Sequence, residues 1–220
     1  MTITAEATQV QEKAMISNPH RVAASLILRD SSKLMKLEKE YESKYNFSLT
    51  PYVSHSLAYS PILSTLIGRF GDLSGKRVFE IGCGTGKFLY TLNKCGAITK
   101  GIEWTGALGN FSKQIGVDTL IDDIFCFTNS SCKFDAVISK GFLTPTILDP
   151  EFDGAFDINL EKFLRIAYNL TNDGGVGIHL YPPVRNISNQ LCASIGYGTC
   201  STRQIYYRKK TYKTILLLEK

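Results

Sequence analysis

The sequence predicts an α/β fold in which helices cover both faces of a doubly wound, mostly parallel sheet. Two observations support this prediction. Between about residues 77 and 181, short apolar runs that suit buried strands alternate with segments that suit helices. Near the end of the chain, two strand-like segments follow each other with only a short turn between them. Strands connected so closely pair antiparallel, so the last part of the sheet should be mixed.

The first 75 residues are predicted to form a helical extension. Between residues 21 and 45, apolar side chains recur at intervals of three or four, namely at Leu34, Leu37, Tyr41 and Tyr45. This spacing is typical of an amphipathic helix. Residues 54–70 have room for one or two further short helices, with Pro51 and Pro61 as breaks. The sheet does not need these residues, so we expect them to form a lid over its carboxyl edge. The alternative is that these helices pack on a distant face and only add stability.

Residues 76–220 are predicted to form the main domain, in which strands and helices alternate. The expected strands are residues 77–81, 98–103, 118–121, 134–139, 175–181, 199–207 and 213–219. The expected helices are residues 87–95, 105–113 and 158–170. A long connection, residues 140–157, follows the fourth strand. Connections of this length in compact domains are usually functional or disordered.

The turn after the first strand carries the clearest functional signal. It reads Glu80-Ile81-Gly82-Cys83-Gly84-Thr85-Gly86, with glycines at alternate positions. Glycines in a strand-to-helix turn let a ligand approach the backbone closely. The spacing G-x-G-x-G differs from the G-x-G-x-x-G of nicotinamide and flavin sites. The carboxylate of Glu80 would repel a pyrophosphate and attract an ammonium group, which favours S-adenosylmethionine as the ligand.

Two further acids have suitable positions. Glu103 ends the second predicted strand, 21 residues beyond Gly82. An acid at this distance, at the tip of the second strand, can accept hydrogen bonds from ribose hydroxyls. Asp123 follows the short apolar run of the third strand.

With these acids in place, the chain resembles the class I S-adenosylmethionine-dependent methyltransferases over residues 76–220. The glycine turn is similar to that family's first motif, E/D-x-G-x-G-x-G, and Glu103 matches its ribose-binding acid. Asp123 lies 11 residues before Phe134, the spacing usual for the acid that meets the adenine amino group. The resemblance implies seven strands with the last one reversed. It also implies S-adenosylmethionine as cofactor, S-adenosylhomocysteine as product, and the backbone of Ile124 at the adenine edge.

Several other residues are expected near the cofactor. Cys83 should fill a tight place inside the glycine turn and not act as a nucleophile. Gly84 and Gly86 should approach the ligand through their backbone. Trp104 directly follows Glu103 and could stack on adenine, with plain core packing as the alternative. The set of expected cofactor residues is Glu80, Gly82, Cys83, Gly84, Gly86, Glu103, Trp104, Asp123, Ile124 and Ser139.

Two histidines are candidates for a catalytic base. His179 lies near the end of the fifth strand, where a base would suit the methylation of a phenol or carboxyl group. The alternative is a packed, hydrogen-bonded strand histidine. His55 lies in the predicted lid beside Tyr52 and Tyr59, which would line the acceptor pocket. Ordinary packing is again the alternative for these three residues. Phe142, at the start of the long connection, is the remaining candidate for acceptor contact.

Composition sets further limits. The chain has 220 residues, of which 44% are hydrophobic and 20% charged, as in ordinary globular proteins. It has no apolar run of membrane-spanning length and begins without a secretory pattern, so we expect no membrane partner and a cytoplasmic location. Six cysteines and three histidines show no metal-ligand spacing, so we expect reduced, mostly buried thiols and no bound metal.

The net charge of +5 arises in residues 200–220, which carry six basic side chains and one acidic side chain. One basic turn is a weak nucleic-acid footprint, so we expect a small-molecule acceptor methylated at nitrogen or oxygen, and nucleic acid is not the favoured partner. A protein or RNA methyltransferase and a catalytically inactive cofactor-binding subunit remain alternatives. A nicotinamide-dependent dehydrogenase is disfavoured by Glu80.

Overall fold

A computed structural model describes residues 25, 31–45, 59–127, 131–144, 148, 155–182, 187–207 and 210–220. The helices are α1 (Ser31–Tyr45), α2 (Ser60–Phe70), α3 (Lys87–Lys94), α4 (Gly106–Gln114), α5 (Phe156–Leu170) and α6 (Asn189–Ile195). The strands are β1 (Arg77–Ile81), β2 (Ile98–Glu103), β3 (Thr119–Ile121), β4 (Phe134–Lys140), β5 (Thr171–Tyr181), β6 (Thr199–Tyr207) and β7 (Lys210–Glu219).

The strands form one seven-stranded sheet in the order β3-β2-β1-β4-β5-β7-β6. Strands β1 to β5 pair in parallel, whereas β7 runs antiparallel to both of its neighbours. The prediction of a mostly parallel sheet with a reversed last strand is therefore confirmed. The strand order changes direction between β1 and β4, and ligands of open α/β sheets bind at such a point, beyond the carboxyl ends of the strands.

Both faces of the sheet are covered, and side chains of β1 show how. Val78 belongs to a first hydrophobic core with residues of α1 to α4, whereas Phe79 and Ile81 belong to a second core with α5 and α6. Successive strand residues point to opposite faces, so an apolar run becomes buried on both sides. This explains why apolar residues occur on both faces of the central strands.

The described N-terminal helices pack on one face of the sheet. Leu34 and Tyr41 of α1 join the first core, as do several apolar residues of α2. The Tyr41 hydroxyl donates a hydrogen bond to the carbonyl oxygen of Ala107 at 2.9 Å, and Glu38 forms a buried ion pair with Lys87 at the start of α3. These contacts give α1 and α2 a core in common with the sheet. The predicted lid residues Tyr52 and His55 lie outside the described residues.

Most element positions agree with the sequence prediction to within a few residues, and one element is new. Strand β5 begins four residues earlier than expected, at Thr171, and α5 begins at Phe156. The short helix α6 was not predicted because seven residues give too little apolar periodicity. Its ends do carry local signals: the Ser188 hydroxyl accepts a hydrogen bond from the Leu191 amide, and Gly196 follows in a left-handed conformation.

Candidate cofactor and acceptor site

The glycine turn connects β1 to α3 at the point where the strand order changes. Gly82, Gly84 and Gly86 have φ angles of 70°, 55° and 70°, a region that other residues rarely adopt. The amides of Gly82 and Cys83 both donate to the carbonyl oxygen of Ile102, at 2.9 and 3.1 Å. These bonds hold the turn against β2, so its shape is fixed by the protein itself.

The three glycines differ in what surrounds them. A Cβ atom on Gly86 would lie 2.0 Å from the Ser112 hydroxyl, and one on Gly82 would lie 3.1 Å from the Phe142 ring. Among the described residues, none has an atom within 4 Å of a Cβ atom placed on Gly84. Packing therefore requires glycine at Gly86, whereas a Cβ atom at Gly82 would need only a small shift of the Phe142 ring. Gly84 borders space that no described residue fills and that a ligand can enter.

Cys83 fills a tight place beneath the turn, as its size suggested. Its side chain is buried, and a Cβ atom on Gly101 of β2 would lie only 2.6 Å from its Sγ atom. Burial raises the pKa of the Cys83 thiol far above its usual value, and the carboxylates of Glu80 and Glu103 add to this effect. The group is thus a neutral, packed thiol.

Glu103 is held firmly at the tip of β2. One carboxylate oxygen accepts a hydrogen bond from the Gly84 amide at 2.8 Å, and the other accepts one from the Thr105 amide at 2.9 Å. The side chain is almost fully buried. Two carboxylate oxygens together have about four acceptor positions, so capacity remains for two ribose hydroxyls. Glu103 therefore links the end of β2 to the glycine turn.

Glu80 has a contrasting environment. Its side chain is fully buried, and neither carboxylate oxygen makes a hydrogen bond of normal geometry to a described residue. Burial raises the pKa of Glu80 to about 8, with a further contribution from Glu103. The nearby Tyr59 hydroxyl and Lys140 ammonium lower this pKa but do not outweigh burial. A buried carboxyl group without partners costs free energy, which a cationic ligand would recover.

Tyr59 and Lys140 lie beside Glu80 on the same face of the sheet. The Tyr59 ring stacks on Phe88 of α3 with a centroid distance of 4.3 Å, and the Lys140 ammonium lies 4.8 Å from the Tyr59 centroid. Burial lowers the pKa of Lys140 to about 8; Lys213 lowers it further, and Glu80 opposes both effects. Tyr59 was expected near the acceptor from the sequence, whereas Lys140 was not, although a lysine at the end of an apolar strand is an unusual residue.

The residues expected at adenine lie at the same edge of the sheet. The Asp122 amide donates to the carbonyl oxygen of Glu103 at 3.2 Å, which brings this segment beside the end of β2. Asp123 is exposed, and its carboxylate accepts a hydrogen bond from the Phe125 amide at 2.9 Å. The Ile124 side chain is buried in the second core. Trp104 is 79% exposed, so it does not pack in the core and its ring is accessible to a ligand.

Ser139 of β4 and His179 of β5 lie side by side and are both buried, near the carboxyl ends of their strands. The Ser139 hydroxyl lies 3.0 Å from Nδ1 of His179, and the imidazole packs edge-on against Phe163 of α5. His179 is fully buried, and burial lowers its pKa to about 3. The ring is therefore neutral and shielded by α5, which is the packed alternative considered above. The sequence showed that His179 is near the strand end, but not which helix covers it.

Phe142 lies at the boundary between the turn and the second core. Its ring stacks on Phe163 at 5.0 Å and lies 6.2 Å from the Phe125 centroid. The close approach to Gly82 places it against the glycine turn. Only parts of the 140–157 connection are described, and they include Phe142.

Three further features concern the part of the chain that the structure describes. In these residues, no group of three or more His, Cys, Asp or Glu side chains could hold a metal ion. No helix among them is long and apolar enough to cross a membrane. All six cysteines are free thiols; Cys126 and Cys132 are exposed, so fewer thiols are buried than expected.

No protein-family model and no curated protein matches the chain, but solved structures do. A S-adenosylmethionine-dependent methyltransferase from Clostridium acetobutylicum matches with a TM-score of 0.59 and 14% identity, over 82% of this chain and 98% of that chain. Magnesium protoporphyrin IX methyltransferase from Synechocystis PCC 6803, with bound S-adenosylmethionine, matches with a TM-score of 0.55 and 17% identity, over 74% of this chain and 80% of that chain.

A third match is a putative RNA methyltransferase from Pyrococcus horikoshii, with a TM-score of 0.53 and 21% identity, over 76% of this chain and 84% of that chain. Identities this low establish a common fold and leave the acceptor undecided. Together with the strand order and the reversed β7, these matches show that the chain has the class I fold of S-adenosylmethionine-dependent methyltransferases.

Proposed function

We propose that the protein is an S-adenosylmethionine-dependent methyltransferase that acts on a nitrogen or oxygen atom of a small molecule. The observation that carries this proposal is the buried Glu80 carboxyl group beside the glycine turn, which makes no hydrogen bond of normal geometry to a described residue. An ammonium group supplies the charge that this site lacks. A nucleotide phosphate would instead bring a second negative charge to it.

The residues on the sheet edge suit each part of that cofactor. Glu80 would hold the ammonium of the amino-acid tail, and Glu103 would hold the ribose hydroxyls. The Asp123 carboxylate and the Ile124 backbone would meet adenine, with Trp104 stacked on the ring. Gly84 supplies the bare backbone against which the ligand lies.

The cofactor supplies a methyl group on a sulfonium, which is reactive without help from the protein. The chain's residues therefore have three tasks: they bind, orient and exclude water. A catalytic base is optional for this chemistry, and the buried, neutral His179 is poorly placed to be one. We assign it a packing role, whereas Tyr59 and Phe142 remain our proposed acceptor contacts. Tyr52 and His55 keep their predicted roles as lid residues that line the acceptor pocket.

The end of β4 supports a small acceptor over a nucleobase amine. Amino-group nucleobase methyltransferases carry an Asp/Asn-Pro-Pro-Tyr motif here, whereas this chain has Ser139-Lys140-Gly141-Phe142. The Ser139 hydroxyl already interacts with His179, so it is engaged within the protein. An RNA acceptor is the second candidate, favoured by the match to a putative RNA methyltransferase and by the basic last 21 residues.

Calorimetry and a labelling assay test the proposal. We expect S-adenosylhomocysteine to bind the protein and NAD to bind far more weakly. Incubation with methyl-labelled S-adenosylmethionine should then label a compound in a metabolite extract that passes a small-pore filter. If the label appears only in RNA or protein, the acceptor is a macromolecule and not a small molecule. Tight NAD binding without S-adenosylhomocysteine binding would overturn the proposal as a whole.

A further inference from the structure

Two lysines lie near Glu80 on one face of the sheet, at its carboxyl edge. Glu80 lies opposite Ile138 where β1 pairs with β4. Because strand side chains alternate between faces, Lys140, two residues beyond Ile138, lies on the same face as Glu80. Glu80 and Lys140 therefore occupy the two sides of the crevice where the strand order changes.

Lys213 reaches this face from the other side. Lys140 lies opposite Leu180 of β5, and Leu180 lies opposite Ile215 of β7. Lys213 is two residues from Ile215, so alternation places it on the same face. Because β7 runs antiparallel to β5, Lys213 lies toward the carboxyl edge. The positive charge of Lys213 is close enough to lower the pKa of Lys140.

The three groups form an electrostatically unbalanced arrangement. Lys140 and Lys213 are half-buried, and the charge of Lys213 disfavours the charged form of Lys140, whereas the buried carboxyl group of Glu80 makes no hydrogen bond of normal geometry to a described residue. An anion beside the lysines and a cation beside Glu80 would correct both defects at once. The ligand that suits this arrangement carries the two charges close together.

An α-amino acid has this property, since its ammonium and carboxylate groups are attached to one carbon atom. Its two protein partners must therefore be neighbours, as Glu80 and Lys140 are. We propose that Lys140, supported by Lys213, binds the α-carboxylate of the cofactor's amino-acid tail while Glu80 binds the ammonium group. This inference rests on the proposed function, and it assigns the carboxylate to the cofactor and not to an anionic acceptor.

Three adenosine compounds separate the contributions of the tail's ammonium and carboxylate groups to binding. S-Adenosylhomocysteine has both charges of the tail, 5′-deoxy-5′-(3-aminopropylthio)adenosine keeps the amine without the carboxylate, and 5′-methylthioadenosine has neither. Calorimetry would compare their affinities for the wild type, Lys140→Gln, Lys140→Arg and Lys213→Gln. Lys76→Gln is the matched control, because the Lys76 ammonium also lies over a ring, 5.2 Å from the Phe70 centroid, but at the amino edge.

We expect Lys140→Gln to weaken S-adenosylhomocysteine binding about tenfold or more, as for a lost charge-assisted hydrogen bond, and to leave the other two compounds unchanged. Lys213→Gln should show the same selectivity with a smaller loss. Lys140→Arg should retain most of the affinity, and Lys76→Gln all of it. Thermal unfolding of each variant checks that the fold is intact.

The outcomes separate this inference from the function on which it rests. If the wild type binds none of the three compounds, the proposed function fails. If it binds S-adenosylhomocysteine and Lys140→Gln binds it equally well, the carboxylate assignment is wrong and the function stands. Equal losses for all three compounds would also contradict the assignment, because they would indicate a general distortion of the site.

Discussion

The two halves of the candidate site differ in how completely their charges are satisfied. On the β2 side, both oxygens of Glu103 accept backbone hydrogen bonds, from Gly84 and Thr105. On the β1 and β4 side, Glu80 is buried and accepts no such bond from the part of the chain that the structure describes, and burial disfavours the charged form of Lys140. In our proposal, the first half is preformed for the uncharged adenosine part of the cofactor, and the second half is completed by a tail that carries one ammonium and one carboxylate group.

The largest expected effect comes from the satisfied half. Glu103→Ala removes the expected partner of two ribose hydroxyls and the acceptor for two backbone amides. We expect S-adenosylhomocysteine affinity to fall at least tenfold, because even one charge-assisted bond contributes about 1.5–3 kcal/mol. The affinity for 5′-methylthioadenosine should fall equally, because both compounds contain the ribose. Unchanged affinities in a folded variant would show that Glu103 does not contact the ligand.

Glu80→Gln should affect only ligands that carry the charged tail. It keeps the shape but removes the charge, so we expect S-adenosylhomocysteine to bind about tenfold more weakly while 5′-methylthioadenosine binds as before. An equal loss for both compounds would contradict the division between the halves.

Glu80→Gln should also change the pH dependence of stability. The pKa of Glu80 is about 8 in the folded protein against 4.5 normally, so the folded state holds this proton more tightly. The wild type therefore loses unfolding free energy as pH rises from about 5 to 8, by on the order of a few kcal/mol. The variant does not lose this unfolding free energy, so its Tm minus that of the wild type should increase as pH rises. A constant difference would contradict the raised pKa.

The smallest effect should come from His179, outside the charged halves. Burial lowers the pKa of His179 to about 3 from 6.5, so the unfolded chain binds this proton first as pH falls. Stability is thus lost as pH falls from about 6.5 toward 4. His179→Asn should show less of this acid loss while retaining labelling activity with the metabolite extract at pH 7.5. Complete loss of activity in a folded variant would restore His179 as a candidate base.

Local sequence signals predicted the parts of the molecule that depend on local physics. The glycine turn, Glu103 and the apolar strands follow from turn chemistry and burial, and they lie where expected. Lys140 was missed because its importance arises from strand pairing, which brings it beside Glu80 and Lys213 from distant parts of the chain. His179 was named as a candidate base from its position near the strand end. The Phe163 ring of α5 packs against His179, and this contact arises only when the helix packs on the sheet.

In our proposal, the Glu80 carboxyl group loses its proton when it binds the ammonium group of the cofactor. With a pKa of about 8, most of the Glu80 population is protonated at pH 7 in the free protein. Binding of S-adenosylhomocysteine at pH 7 should therefore release close to one proton, measured by calorimetry in buffers of different ionisation enthalpy. Lys140 is already mostly charged at pH 7, so its own uptake should be small. We predict this release for the wild type and almost none for Glu80→Gln; equal release by both proteins, or none by the wild type, would contradict the account.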